Sequence, residues 1–77
     1  MTIDLRRLKA ERIAKGLSQE DMAELLGWKS RATYSKRETG RVNIGADELA
    51  KIADILGYSS NQLGIFFTVS VPKRERI

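Results

Sequence analysis

The chain has 77 residues and a net charge of +4, from 14 Lys and Arg against 10 Asp and Glu, with no histidine and no cysteine. That length holds one small domain whose core only just offsets chain entropy, so self-association or ligand binding would help it. Without cysteine there is no disulfide framework and no thiolate metal site, and without histidine the commonest general base and metal ligand are missing. No catalytic residues, metal or cofactor are therefore expected. No apolar run approaches the roughly 18–20 residues of a membrane span, and the first residues lack a signal-peptide core, so a cytoplasmic chain is expected.

The charge is segregated along the chain. Residues 1–17 carry five basic and two acidic side chains, 18–28 none and three, and 29–41 five and one. Residues 42–72 carry one basic and three acidic side chains, and 73–77 three and one. A basic footprint of this kind suits phosphate, although a solvated face gives the same composition.

The pattern predicts a first helix over about 4–15, with Asp4 at the positive end of its dipole and Lys15 at the negative end. Leu5, Leu8 and Ile13 are expected to face inward. Arg12 falls on the same stripe as Leu5 and Leu8, where an uncompensated guanidinium would cost several kcal/mol. It must find a partner or snorkel to solvent.

Residues 17–40 read as two short helices joined by a tight turn. Ser18 is a good N-cap with Asp21 three residues on, and Met22, Ala23 and Leu26 share a face. Gly27 stops this helix, since glycine accepts the left-handed conformation of a C-terminal cap. Ser30 caps a second helix that runs to Glu38 or Thr39, and Gly40 closes it. Two helices meeting steeply need a small residue at the crossing, here Ala23, and a turn residue free to take positive φ, here Gly27. Followed by a basic, Ser/Thr/Arg-rich helix, the spacing of Gln19, Ala23 and Gly27 points to a DNA-binding helix-turn-helix.

Arg41 to Ile44 form a basic, then extended, loop, and Gly45 with Glu48 marks the next helix start. Leu49, Ile52, Ala53 and Leu56 give the core stripe of a helix over about 46–56, ended by Gly57. Ser59 caps a short fifth helix in which Leu63, Phe66 and Phe67 share a face. Residues 67–71 alternate apolar and polar until Pro72, which suits a strand. One strand is not stable alone, so it pairs across a two-fold in a dimer, or the tail is loosely docked or disordered. The basic run from Lys73 to Arg76 reads as solvated.

Residues 5–56 resemble the helix-turn-helix family of phage repressors, Cro proteins and bacterial XRE-type regulators. Gly16-Leu17-Ser18-Gln19-Glu20, Ala23, Leu26-Gly27, Ser35-Lys36, Glu38, Gly40-Arg41 and Leu49-Ala50-Lys51-Ile52-Ala53 carry the resemblance. It implies an all-α, five-helix lambda-repressor-like domain over 1–67, with the helix-turn-helix at about 18–39 and the recognition helix at about 30–39. Residues 68–77 are then a short extended tail, either a dimerisation strand or disordered. The resemblance also implies that Arg12 pairs with Glu38. Two departures are visible. Gly27 and Gly40 are thirteen positions apart, one more than the usual family spacing, and an extra residue at Trp28 or Lys29 puts Tyr34 on the inward face. Arg37 stands where members carry an aliphatic or aromatic residue, so it snorkels out, joins Glu38, or reaches phosphate.

Roles follow for a DNA-binding reading. Arg31 has the planar fork for guanine O6 and N7, Ala32 can meet a thymine methyl, and Lys36 on the same face can read guanine or grip the backbone. The resemblance implies a phosphate contact for Gln19 at the start of the first motif helix and backbone contacts for Arg41 and Asn43 in the loop after the second; Ser30, Thr33 and Ser35 are short donors suited to further phosphate contacts. Trp28 is expected to pack against the turn rather than stack on bases. Phe66, Phe67, Val69 and Val71 form the expected dimer or partner surface. The function this implies is a sequence-specific regulator of transcription binding double-stranded DNA. It would be a prophage or mobile-element-type repressor on an inverted-repeat operator, acting as a homodimer and nucleoid-associated when bound. The alternative is an antitoxin or adaptor whose main partner is another protein, held by an exposed Phe66–Phe67 end. RNA binding is disfavoured, because no aromatic-rich sheet is visible.

Overall fold

The apolar stripes converge on one cluster. In the computed structural model, which describes residues 2–68, the order is β1 (Thr2–Ile3), α1 (Leu5–Ala14), α2 (Gln19–Leu25), α3 (Arg31–Glu38), α4 (Ala46–Ile55), a 3-10 helix (Ser60–Phe66) and β2 (Phe67–Thr68). The arrangement is all-α with five helical segments, and a two-stranded ribbon closes its ends. Leu8, Met22, Ala23, Tyr34, Leu49, Ile52, Ala53, Leu56 and Phe66 make the core, so every helix contributes to it. Each large apolar side chain buried there contributes on the order of 1.5–3 kcal/mol.

Local chemistry sets the helix ends. The Asp4 carboxylate accepts the Arg7 N–H at 3.1 Å and starts α1. Ser18 and Asp21 form a reciprocal capping box, each side chain accepting the other's backbone N–H at 2.9 Å. Gly27 ends α2 with φ +77°. Its N–H donates to the Glu24 carbonyl at 3.1 Å, and that of Trp28 to the Ala23 carbonyl at 2.8 Å. This double closure satisfies the last carbonyls of α2 and turns the chain sharply into α3.

Three expectations need correction. Ile13 is 57 % exposed rather than inward. It lies five residues beyond Leu8, about 140° around the helix, whereas Leu5, Leu8 and Arg12 share one line. Ser30 stands at the N-cap of α3 but its side chain makes no capping bond; its hydroxyl meets that of Thr33 at 3.3 Å instead. The short fifth helix after Ser59 is present, as a 3-10 helix. Phe66 is fully buried, edge-on to Tyr58 with ring centroids 5.5 Å apart, so it offers no surface to a partner.

The strand at Phe67 has a partner within the chain. β2 runs antiparallel to β1, with Thr2 opposite Thr68 and Ile3 opposite Phe67. The two threonine hydroxyls are 2.9 Å apart. The Asp4 N–H donates to the Phe66 carbonyl at 2.6 Å, so the ribbon also holds the start of α1. Thr68, assigned above to the tail, is therefore joined to the domain. Val69, Val71 and the basic run that follows lie outside the described residues.

A Cβ added at Gly27 would meet nothing within 4 Å, so only backbone strain opposes it. Gly27→Ala is expected to lower stability by about 1–2 kcal/mol, the cost of holding alanine in the left-handed region. Gly64 is equally open but lacks a positive φ. Gly64→Ala should be neutral or stabilise by up to ~1 kcal/mol. Urea unfolding of the two variants checks the opposite signs.

Candidate nucleic-acid interface

α3 has little to bury. Of its eight residues only Tyr34 and Glu38 are buried, and one of these is a carboxylate. What holds the helix is the saturation of that carboxylate. Arg12 of α1 donates from Nε to Glu38 Oε2 at 2.8 Å and from Nη2 to Oε1 at 3.2 Å. Gln19 of α2 donates from Nε2 to Oε1 at 2.9 Å, and Tyr34 donates from its hydroxyl to Oε2 at 2.8 Å. The remaining arm of Arg12 donates from Nη1 to the Leu17 carbonyl at 2.7 Å. Three helices thus meet on one buried ion pair, whose side chains are 9 % and 2 % exposed.

The electrostatics follow the geometry. Burial alone would raise the Glu38 pKa, but the hydrogen bonds from Arg12, Gln19 and Tyr34 outweigh it and hold the carboxyl below its ordinary value. Burial, with Glu38 as acceptor, pushes the Tyr34 phenol up. The bond to Glu38 raises Arg12 in turn, against its own burial.

Arg37 neither snorkels to solvent nor joins Glu38. It makes a two-pronged pair with Glu48 of α4, Nε to Oε1 at 3.0 Å and Nη2 to Oε2 at 3.1 Å. Its Nη1 donates to the Thr33 carbonyl at 2.7 Å, and its guanidinium lies over the Trp28 ring, 4.6 Å from the centroid. Trp28 itself packs near Tyr34, with ring centroids 6.5 Å apart. The Arg37 bond and the Gly45 N–H lower the Glu48 pKa. Arg37 of α3 and Trp28 of the preceding turn therefore meet in space.

With Tyr34 and Glu38 facing in, the opposite face of α3 is solvent-exposed. Arg31, Ala32, Ser35 and Lys36 line a shallow groove of about 470 Å³, together with Thr39 and with Arg41 from the following loop. Thr39 had not been singled out; its place one turn beyond Ser35 was the available signal. The other expected contacts lie elsewhere. Ser30 belongs to a separate hollow with Glu20, Glu24, Trp28 and Lys29. Asn43 lines another with Ile3, Leu5, Val42 and Ile44. Thr33 is half-buried, its carbonyl taken by Arg37. Gln19 is half-buried against Glu38. Among the described residues no group of acidic side chains could hold a metal ion, and no helix is long and apolar enough to cross a membrane.

Residues 8–63 match the model of the helix-turn-helix family. The chain belongs to the XRE-type helix-turn-helix family. A relative from Bacillus subtilis (strain 168), the SPbeta prophage-derived uncharacterized HTH-type transcriptional regulator YonR, is 42 % identical over 57 residues. The match covers 74 % of this chain and 52 % of the relative, so the chain spans about half the length of the curated relative it matches. No solved structure matches it. This helix-turn-helix family is one of DNA-binding transcription regulators rather than of enzymes. Within the matched residues, the Gln19–Glu38 hydrogen bond ties α2 to α3.

Glu38→Gln keeps the shape of the cluster and leaves Arg12 buried without a counter-charge, which is expected to cost about 3–5 kcal/mol. The pH dependence has a definite sign. Because folding depresses the Glu38 pKa, its stabilisation is present above the unfolded value near ~4.3 and is lost as pH falls through the lower folded value. Urea titrations between pH 7 and pH 2.5 should show a shallower acid loss in the variant than in the parent.

Proposed function

We propose that the chain is a sequence-specific regulator of transcription that places α3 in the major groove of double-stranded DNA. The observation that carries this reading is the exposed α3 face. It gathers Arg31, Ala32, Ser35, Lys36 and Thr39 on a helix whose diameter with side chains, about 10–12 Å, fits a groove of about 12 Å width. Arg31 offers its fork to guanine O6 and N7, Ala32 fits a thymine methyl, and Lys36 reads guanine or holds the backbone. Arg41 continues the basic track past the helix, where backbone contact and counterion release supply affinity.

Gln19 is assigned to phosphate through the second N–H of its amide, the first being held by Glu38. Ser30, Thr33 and Asn43 are assigned to the backbone flanking α3, with Thr33 the weakest of these because it is half-buried. The regulator acts as a cytoplasmic homodimer on an inverted repeat, with Phe67 and the alternating Val69 and Val71 as its self-association segment. It represses by occupying promoter DNA, and the prophage-derived description of the Bacillus subtilis relative supports a mobile-element origin. The antitoxin or adaptor reading rested on an exposed Phe66–Phe67 end, and the burial of Phe66 removes its anchor.

The test is selection of binders from a random duplex library. Recovery of an inverted repeat with half-sites about 34–36 Å apart is expected. Recovery of no motif, with binding that vanishes at moderate salt, would leave only backbone attraction and sink the proposal. Arg31→Ala should relax preference at one position per half-site, at a cost of ~1–3 kcal/mol, whereas Gln19→Ala should weaken all sites evenly. An unchanged selected motif for Arg31→Ala would place base reading on other residues.

A further inference from the structure

The inward anchors of α3 leave it one freedom. Tyr34 and Glu38 are one turn apart and lie on a single line along the helix, so contacts through them resist translation and tilt better than roll about that line. Roll is the motion that would change which side chains reach a groove. Arg37 stands next to this line, on the flank facing α4. It binds Glu48 at the start of α4 with two hydrogen bonds, at 3.0 and 3.1 Å. It also reaches back to the Thr33 carbonyl in the first turn of its own helix and lies over Trp28 in the preceding turn. Glu48 in turn accepts the Gly45 N–H at 3.0 Å, which ties the end of the 41–44 loop to the same point.

We infer that Arg37, clamped by Glu48 and Trp28, is a positioning residue for DNA recognition: it fixes the roll of α3 and the placement of the 41–44 loop without itself contacting DNA. The inference rests on the DNA reading above. It assigns Arg37 a role distinct from that of Arg31, Lys36 and Arg41, although all four carry the same charge. Its donors to Glu48 and Thr33 are already engaged, and its side chain is only 18 % exposed. Rigid placement of the reading face is what converts a basic helix into a selective one, because base-edge hydrogen bonds tolerate little misplacement.

The test is a double-mutant cycle on the full chain with Arg37→Met and Glu48→Gln, read on the duplex selected by the parent and on a scrambled duplex. Met keeps an unbranched apolar stem without the guanidinium; Gln keeps an acceptor for the Gly45 N–H. Each single variant is expected to lose affinity for the selected duplex by about tenfold, equivalent to 1.4 kcal/mol. Affinity for the scrambled duplex should barely change, and the double variant should be no worse than the worse single. The slope of log affinity against log salt should stay that of the parent, since a lost phosphate contact would reduce it by about 0.9. Arg37→Lys, which keeps the charge but not the fork, should resemble Arg37→Met.

A reduced salt slope for Arg37→Met with tighter binding by Glu48→Gln would overturn the inference and make Arg37 a phosphate ligand. Recovery of parental affinity by Arg37→Lys would also overturn it, as would parental selectivity in both single variants. Amide hydrogen exchange guards against general unfolding. The first turn of α3 should exchange faster in Glu48→Gln while α1 is unchanged, and equal acceleration in both helices would make the pair merely structural. If the parent itself selects no motif, the DNA reading fails. If it selects one and the variants match it, only the role of Arg37 fails.

Discussion

One carboxylate governs this structure. Glu38 receives four hydrogen bonds from three side chains, and those side chains come from α1, α2 and α3. A helix that presents polar residues outward has few positions left for apolar anchoring, and α3 buries only one aromatic ring. Hydrophobic contact alone would hold it weakly. A saturated buried ion pair supplies direction as well as attachment, because each bond fixes an angle that a greasy contact leaves free. Arg12 follows the same logic. It stands on the apolar stripe of α1, and its charge is tolerable there only because Glu38 and the Leu17 carbonyl take three of its donors.

The second set of anchors is half-exposed and ionic. Arg37 and Glu48 link α3 to α4 across the surface, with Trp28 beneath the guanidinium. A planar cation can lie on an aromatic face and still donate in its own plane, which lysine cannot do. The turn and the arginine are thus parts of one contact: the turn supplies the ring on which the arginine lies.

The ends of the domain are closed by a third device. β1 and β2 are each two residues long, far too short to stand alone. They persist because they cap the core. Phe66 fills the interior just before β2, and its carbonyl takes the Asp4 N–H at the start of α1. Tyr58 adds a tie by donating to Glu11 at 2.7 Å while its ring meets Phe66 edge-on. The same few residues thus join the first helix to the last segment, leaving the α2–α3 face on separate supports.

What the sequence determined by itself was local. The caps at Asp4 and Ser18, the stop at Gly27, the stripe of Leu49, Ile52, Ala53 and Leu56, and the outward run of Arg31, Ala32 and Lys36 all follow from chemistry within four or five residues. The inward turn of Tyr34 followed from the same spacing once the turn was allowed one more residue. Tertiary structure alone decided the rest. Thr2 and Thr68 are 66 positions apart, so no periodicity could pair them, and the sequence left a second chain and a loosely docked or disordered tail as the alternatives. Phe66 lies on a helical face that was legible, but whether that face met core or solvent depended on where α1 and α4 lay. Glu48 read as a cap acceptor, and only the approach of α4 to α3 gave it Arg37. Helix-forming and capping signals act along the chain; burial and ion pairing depend on which elements are brought face to face, and that is set by the packing of the whole domain.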